Sequence, residues 1–115
     1  MNVKILHNPR CSKSRTALKI LQENNIQFDI IEYLKTPLEI TELLNISKML
    51  NKKPSEFIRT GEADYKKLKL KNFSGEDMEL LEIMSKNPKL IERPIVIKED
   101  KAIIGRPPEL VLDLF

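Results

Sequence analysis

Val3-Lys4-Ile5-Leu6-His7-Asn8-Pro9-Arg10-Cys11-Ser12-Lys13-Ser14-Arg15 reads as a strand, a turn and the opening of a helix. Residues 3–7 form a short apolar run suited to a strand, and Asn8-Pro9 ends it as a turn. Ser12 or Ser14 suits a helix N-cap. Ala17, Leu18, Ile20 and Leu21 then recur at helical spacing, and Asn24-Asn25 can close the helix. Residues 28–34 are rich in β-branched and aromatic side chains and read as a second strand. Strand, helix and strand within about 35 residues make a βαβ unit, which implies a parallel pair.

Downstream of this unit, Thr36-Pro37-Leu38-Glu39 predicts a helix start, with Thr36 as N-cap, Pro37 at N1 and Glu39 closing a capping box. Ile40, Leu43, Leu44 and Leu50 follow at helical spacing. Ser74-Gly75-Glu76-Asp77 opens another helix, with Met78, Leu81 and Met84 directed inward. Residues 37–87 thus read as an all-helical insertion. The chain then changes character. Residues 94–98 and 102–104 are short strands joined at Glu99-Asp100-Lys101, and Pro107-Pro108 begins a last helix carrying Leu110, Val111, Leu114 and Phe115. The order β-α-β, helical insertion, β-β-α predicts an α/β, thioredoxin-like domain over residues 1–115, with a four-stranded mixed sheet.

A chain of 115 residues with 41% hydrophobic and 32% charged residues is long enough for one core. It contains no apolar run of the roughly 20 residues that would span a membrane. Its single cysteine cannot form an internal disulfide, so the expected location is cytoplasmic. A net charge of +3 permits anion binding. Aromatic residues at 5% and the absence of Trp leave no stacking set for nucleic acid, and neither nucleic acid nor membrane is an expected partner.

Cys11 is the candidate nucleophile. Read blandly it is a small buried apolar residue. Its setting favours chemistry instead: it stands at a helix start, and residues 1–22 hold Lys4, Arg10, Lys13, Arg15 and Lys19 with no Asp or Glu. A Cys-x5-Arg phosphatase loop is absent, because position 17 is Ala17. One Cys and one His cannot make a zinc site. Cys11-Ser12-Lys13-Ser14 offers no second sulfur, so any disulfide step needs a thiol from another molecule. His7, the one histidine, is either a polar strand end or a partner for the thiolate across the turn. Ser12 and Ser14 are caps that could also donate to sulfur or to a bound oxyanion. Lysines number 15 and arginines 5, so each Arg invites the question of whether its planar fork is needed. In this topology the residue before the third strand lies next to the thiol, which singles out Arg93. Pro94 is then either an ordinary strand-start proline or a cis residue shaping the site.

His7–Arg15, then Arg59, Ile91-Glu92-Arg93-Pro94-Ile95-Val96 and Gly105-Arg106-Pro107-Pro108-Glu109 together resemble the glutathione/glutaredoxin-dependent arsenate reductase family, nearest to a short branch of it. The resemblance implies a thioredoxin-like fold with a helical insertion. It implies that Cys11 attacks arsenate to give a thiol–arsenate adduct, that glutathione reduces the arsenic as a co-substrate, and that glutaredoxin clears the mixed disulfide. No tightly bound cofactor is implied. It also places the three arsenate-binding arginines at Arg59, Arg93 and Arg106 and the histidine near the thiol at His7. Well-known members carry Ala before the cysteine and Gly-Thr after it, where this chain has Arg10 and Ser12-Lys13.

For any thiol, a roughly hundredfold gain in acidity raises the thiolate fraction at neutral pH about 25-fold, while nucleophilicity with a Brønsted slope of about 0.5 falls about tenfold. The net gain is about two- to threefold. Cations around such a sulfur therefore serve mainly to overcome the repulsion between a thiolate and an oxyanion. Two other readings compete. One is a regulator similar to the Spx type, which binds RNA polymerase and senses redox state through Cys-x-x-Cys; Ser14 occupies the second cysteine's place. The other is a monothiol redox protein acting on glutathionylated partners.

Overall fold

The computed structural model describes residues 2–115. The chain divides into two compact units, Met1–Thr36 with Arg93–Phe115, and Pro37–Glu92. In the first unit β1 (Val3–Leu6), α1 (Ser12–Glu23) and β2 (Asp29–Ile31) are completed by β3 (Ile95–Lys98), β4 (Lys101–Ile104) and a 3-10 segment, Pro108–Leu114. The sheet order is β2-β1-β3-β4. β1 runs parallel to β2 and antiparallel to β3, and β3 runs antiparallel to β4. This is the mixed, four-stranded thioredoxin-like sheet that the sequence predicts.

Alternation along the strands builds the core of this unit. Val3 and Ile5 of β1 and Val96 of β3 meet Ala17 and Leu21 of α1 and Val111 of the 3-10 segment, with Leu18, Ile20, Phe28 and Ile103 packed around them. Asn25 takes a left-handed backbone (φ 57°), and Ile26 N–H returns to Leu21 O at 3.1 Å, which stops α1 at the Asn pair. The β3–β4 connection is a two-residue turn, because Lys98 pairs with Lys101; Glu99 supplies its left-handed residue (φ 57°).

Several boundaries differ from the sequence reading. β2 is only three residues long, because Lys35 and Thr36 N–H both turn back to Glu32 O. Cys11, not Ser12 or Ser14, occupies the N-cap position of α1. The last element is a 3-10 helix, and Phe115, which follows it, is 42% exposed.

The Pro37–Glu92 unit holds α2 (Ile40–Leu50), α3 (Ala63–Lys67) and α4 (Asp77–Lys86), linked by 3-10 turns. α2 begins after Glu39 rather than after Thr36. The Leu38 carbonyl accepts the Ser85 hydroxyl at 2.6 Å instead of entering a helical ladder, and Glu39 N–H is capped by the Glu42 carboxylate at 3.1 Å. α2 packs on α4, and Leu43, Ile46, Leu80, Leu81 and Met84 are buried. Met78 is 47% exposed, contrary to expectation. At 3.6 residues per turn it lies about 110° from the centre of the face made by Leu80, Leu81 and Met84. The insertion is not wholly helical: Ile58 and Ile91 form an antiparallel bridge, flanked by Arg59 N–H to Leu90 O (2.7 Å) and Glu92 N–H to Phe57 O (3.0 Å).

Gly105 sits where the chain leaves β4, its N–H donating to Pro94 O at 2.8 Å. A Cβ there would lie 2.9 Å from both Pro94 Cγ and Val111 Cγ1, a ring and a buried branched side chain that cannot swing away. Gly105→Ala is expected to destabilise the fold by about 1–3 kcal/mol, read from the urea unfolding midpoint. An unshifted midpoint would show that this corner repacks freely.

Candidate active site

The turn between β1 and α1 is closed by its own polar groups. Cys11 N–H donates to Asn8 O at 3.0 Å, Arg10 N–H donates to Asn8 Oδ1 at 3.0 Å, and the Arg15 guanidinium donates to Pro9 O at 2.8 Å. Arg15 N–H to Cys11 O (3.0 Å) is the first rung of α1. Cys11 is therefore held extended (φ −93°, ψ 122°) at the N-cap position, half-buried, as a free thiol. The first N–H groups of a helix have no partner within it, and here those of Lys13 and Ser14 bear on the sulfur.

Burial alone pushes the Cys11 pKa up. The Ser14 N–H, the Arg93 guanidinium as both donor and positive charge, and the Lys13 N–H together outweigh it, so the thiol is more acidic than usual. The sheet positions Arg93: Leu6 of β1 is in register with Ile95 of β3, which brings the residues before β3 alongside the turn that follows β1. Arg106 follows β4 and donates from Nη1 to Arg93 O at 3.1 Å, linking the ends of the closing hairpin. The Arg93–Pro94 and Arg106–Pro107 peptides are both cis.

Two expected roles change. Ser14 is fully buried. Its hydroxyl accepts Asn8 N–H at 3.0 Å and lies 2.7 Å from His7 Nδ1, so it does not face a bound oxyanion; only its backbone N–H serves the sulfur. His7 accordingly meets Ser14 across the turn rather than the thiolate. Burial of this histidine–hydroxyl pair works against a charged imidazole. The electrostatics agree: burial lowers the His7 pKa, Glu32 raises it by attraction and Arg15 lowers it, with a net decrease.

Arg59 belongs to the Pro37–Glu92 unit. Its Nε pairs with Glu62 at 3.2 Å and its Nη1 with Glu92 at 2.9 Å, and its side chain is 21% exposed. Of the three singled-out arginines, Arg93 and Arg106 share a unit with Cys11, and Arg93 acts on the sulfur directly. The sequence reading missed the backbone donors of Lys13 and Ser14 and the carboxylate of Glu32. The N-cap rule could have found the donors, since a residue in Cys11's place always faces the N2 and N3 amides. Nothing in the sequence near residue 32 signals a charge acting on His7. Among the described residues, no three His, Cys, Asp or Glu side chains gather to hold a metal ion, and no helix is long and apolar enough to cross a membrane.

Two pH dependences follow. Iodoacetamide alkylation of Cys11 should reach half its maximal rate below the pH of an ordinary thiol, and Arg93→Gln should move that point upward; an unchanged profile would remove Arg93 from the sulfur's electrostatics. Burial lowers the His7 pKa in the folded chain, so the unfolded chain binds more protons as pH falls below about 6.5. Stability should therefore drop on acidification through that range, with a smaller drop in His7→Gln, as read from urea midpoints at about pH 5.5 and 7.5.

Residues 6–114 match the ArsC family. The chain is 45% identical over 115 residues to a Haemophilus influenzae protein named arsenate reductase, covering 99% of each. It is 42% identical over 108 residues to one of the same name from Neisseria meningitidis serogroup A, covering 93% of this chain and 92% of that protein. The solved structure of an arsenate reductase from Vibrio cholerae superposes with a TM-score of 0.96 at 40% identity, covering 100% of this chain and 98% of that one. With its cysteine turn, its sheet and nearly its whole length accounted for by such relatives, the chain belongs to the ArsC family.

Proposed function

We propose that this protein is a cytoplasmic, thiol-dependent oxidoreductase that reduces arsenate, or a related oxyanion, through Cys11, with glutathione and glutaredoxin as reductants. The observation that carries the reading is the half-buried thiol made acidic by Arg93 and two backbone N–H groups, in a family whose similar members are named arsenate reductases.

In the first step the Cys11 thiolate attacks arsenic(V). A sulfur–arsenic bond forms and an arsenic–oxygen bond breaks, the oxygen leaving as water after protonation by solvent; no oxidation state changes. A glutathione thiolate then attacks Cys11 Sγ. The sulfur–arsenic bond breaks with its electron pair left on arsenic, which departs as arsenite, and the two sulfurs are oxidised to a mixed disulfide. A glutaredoxin thiolate takes the glutathionyl sulfur and frees Cys11. The N–H groups of Lys13 and Ser14 hold charge on Cys11 Sγ both before attack and after its release. Arg93 and Arg106 offset the repulsion between this sulfur and the incoming oxyanion, and a guanidinium fork can bind two of its oxygens at once. Arg59 is assigned to oxyanion binding by the sequence resemblance.

The test is arsenate-dependent NADPH oxidation with glutathione, glutaredoxin and glutathione reductase supplied. Turnover should vanish in Cys11→Ser. Arg93→Lys keeps the charge and loses the fork, and should lower kcat/KM for arsenate at least about tenfold. Absence of a Cys11-dependent signal would reject the reading, and near-normal turnover in Arg93→Lys would reject the fork.

A further inference from the structure

Arg10 and Lys13 are cations that the oxyanion chemistry leaves unused. Both side chains are exposed, and among the described residues neither is in an ion pair. They flank the reacting residue in the chain: Arg10 is its neighbour, and Lys13, two residues on, contributes its backbone N–H to the sulfur while its side chain is exposed. The tied turn fixes where both begin. Arg10 N–H is held by Asn8 Oδ1 (3.0 Å) and Cys11 N–H by Asn8 O (3.0 Å), while Lys13 lies in the first turn of α1. Arg15 differs from them, because its guanidinium is committed to Pro9 O at 2.8 Å. Residues 1–22 contain no carboxylate to neutralise the pair.

We propose that Arg10 and Lys13 form a carboxylate-binding subsite for the glutathionyl group that becomes joined to Cys11. The inference rests on glutathione being the reductant. Glutathione carries two carboxylates and one ammonium, so a thiolate bearing net negative charge must reach a sulfur that is itself electron-rich. Exposed cations one and two residues from that cysteine in the chain favour the encounter, and on flexible stems they can reach carboxylates of a tripeptide joined to it. Lysine and arginine on flexible stems suit two carboxylates whose spacing changes as the disulfide forms.

The test needs no oxyanion, so its outcome is independent of arsenate reduction. The Cys11 thiolate of the full chain attacks one sulfur of glutathione disulfide, forming the Cys11–glutathione disulfide and expelling a glutathione thiolate; intact mass follows the adduct. The neutral bis(2-hydroxyethyl) disulfide reacts in the same way and is run in parallel. In the Arg10→Gln/Lys13→Gln double variant the rate constant with glutathione disulfide should fall about three- to tenfold relative to the neutral disulfide. The wild-type preference should collapse towards the variant's in about 0.5 M NaCl. Equal slowing with both disulfides would mean that the two residues act only on the thiol, and a ratio changed by less than about twofold would mean that they do not read charge; either result overturns the subsite.

Discussion

The site depends on one constraint: the first amides of α1 have no intrahelical partner, and the residue placed to meet them is a cysteine. An oxygen at an N-cap would end the matter with a hydrogen bond. A thiol is a weak acceptor, so the Lys13 and Ser14 N–H groups are better satisfied by a thiolate than by a thiol, and the helix start becomes a bias towards ionised sulfur. That bias requires the turn to hold Cys11 extended at the N-cap position, which the Asn8 carbonyl and side chain secure. It also requires β3 to lie beside β1, because the register of that pair delivers Arg93. The backbone of the sheet and the acidity of one sulfur are thus a single arrangement.

Much of the fold was legible because its signals are local. Apolar periodicity marked β1, α1 and the closing strands, and the βαβ spacing implied the parallel pair that is observed. The failures share a cause. Thr36, Pro37 and Glu39 satisfy every local criterion for starting α2, yet Glu39 keeps an extended backbone (ψ 161°), the Leu38 carbonyl bonds to the distant Ser85 hydroxyl, and the helix begins later. Met78 fits an apolar pattern, but three better-placed residues of α4 fill the inward face. Propensity proposes such boundaries and long-range partners settle them.

The site was legible in its residues and less so in its wiring. Cys11 and Arg93 could be linked through topology alone, since the residue before the third strand must lie near the first turn of the helix. Ser14 could not be read correctly from spacing: a serine three residues into a helix looks like a capping group, and here its hydroxyl turns inward to a histidine seven residues earlier. The same burial removes Ser14 as an oxyanion ligand and leaves its amide as the useful part. It also shows what stands in place of the second sulfur of a Cys-x-x-Cys sensor, a hydroxyl sealed in a polar network that cannot form a disulfide.

That network has a further electrostatic consequence. His7 is disfavoured as a cation by its burial, and it is not among the groups that act on the Cys11 sulfur. The lowered thiol pKa rests on Arg93 and the helix amides. A sulfur ionised by an imidazolium would lose that help as the imidazolium deprotonated. One ionised by a guanidinium and fixed dipoles keeps it across the whole neutral range. His7 is then better understood as the side chain that completes the hydrogen bonds of Ser14, and through Ser14 those of the turn, than as the group that charges the sulfur. The division of labour follows from depth: the deep polar pair fixes geometry, while the arginine and the helix start supply the field.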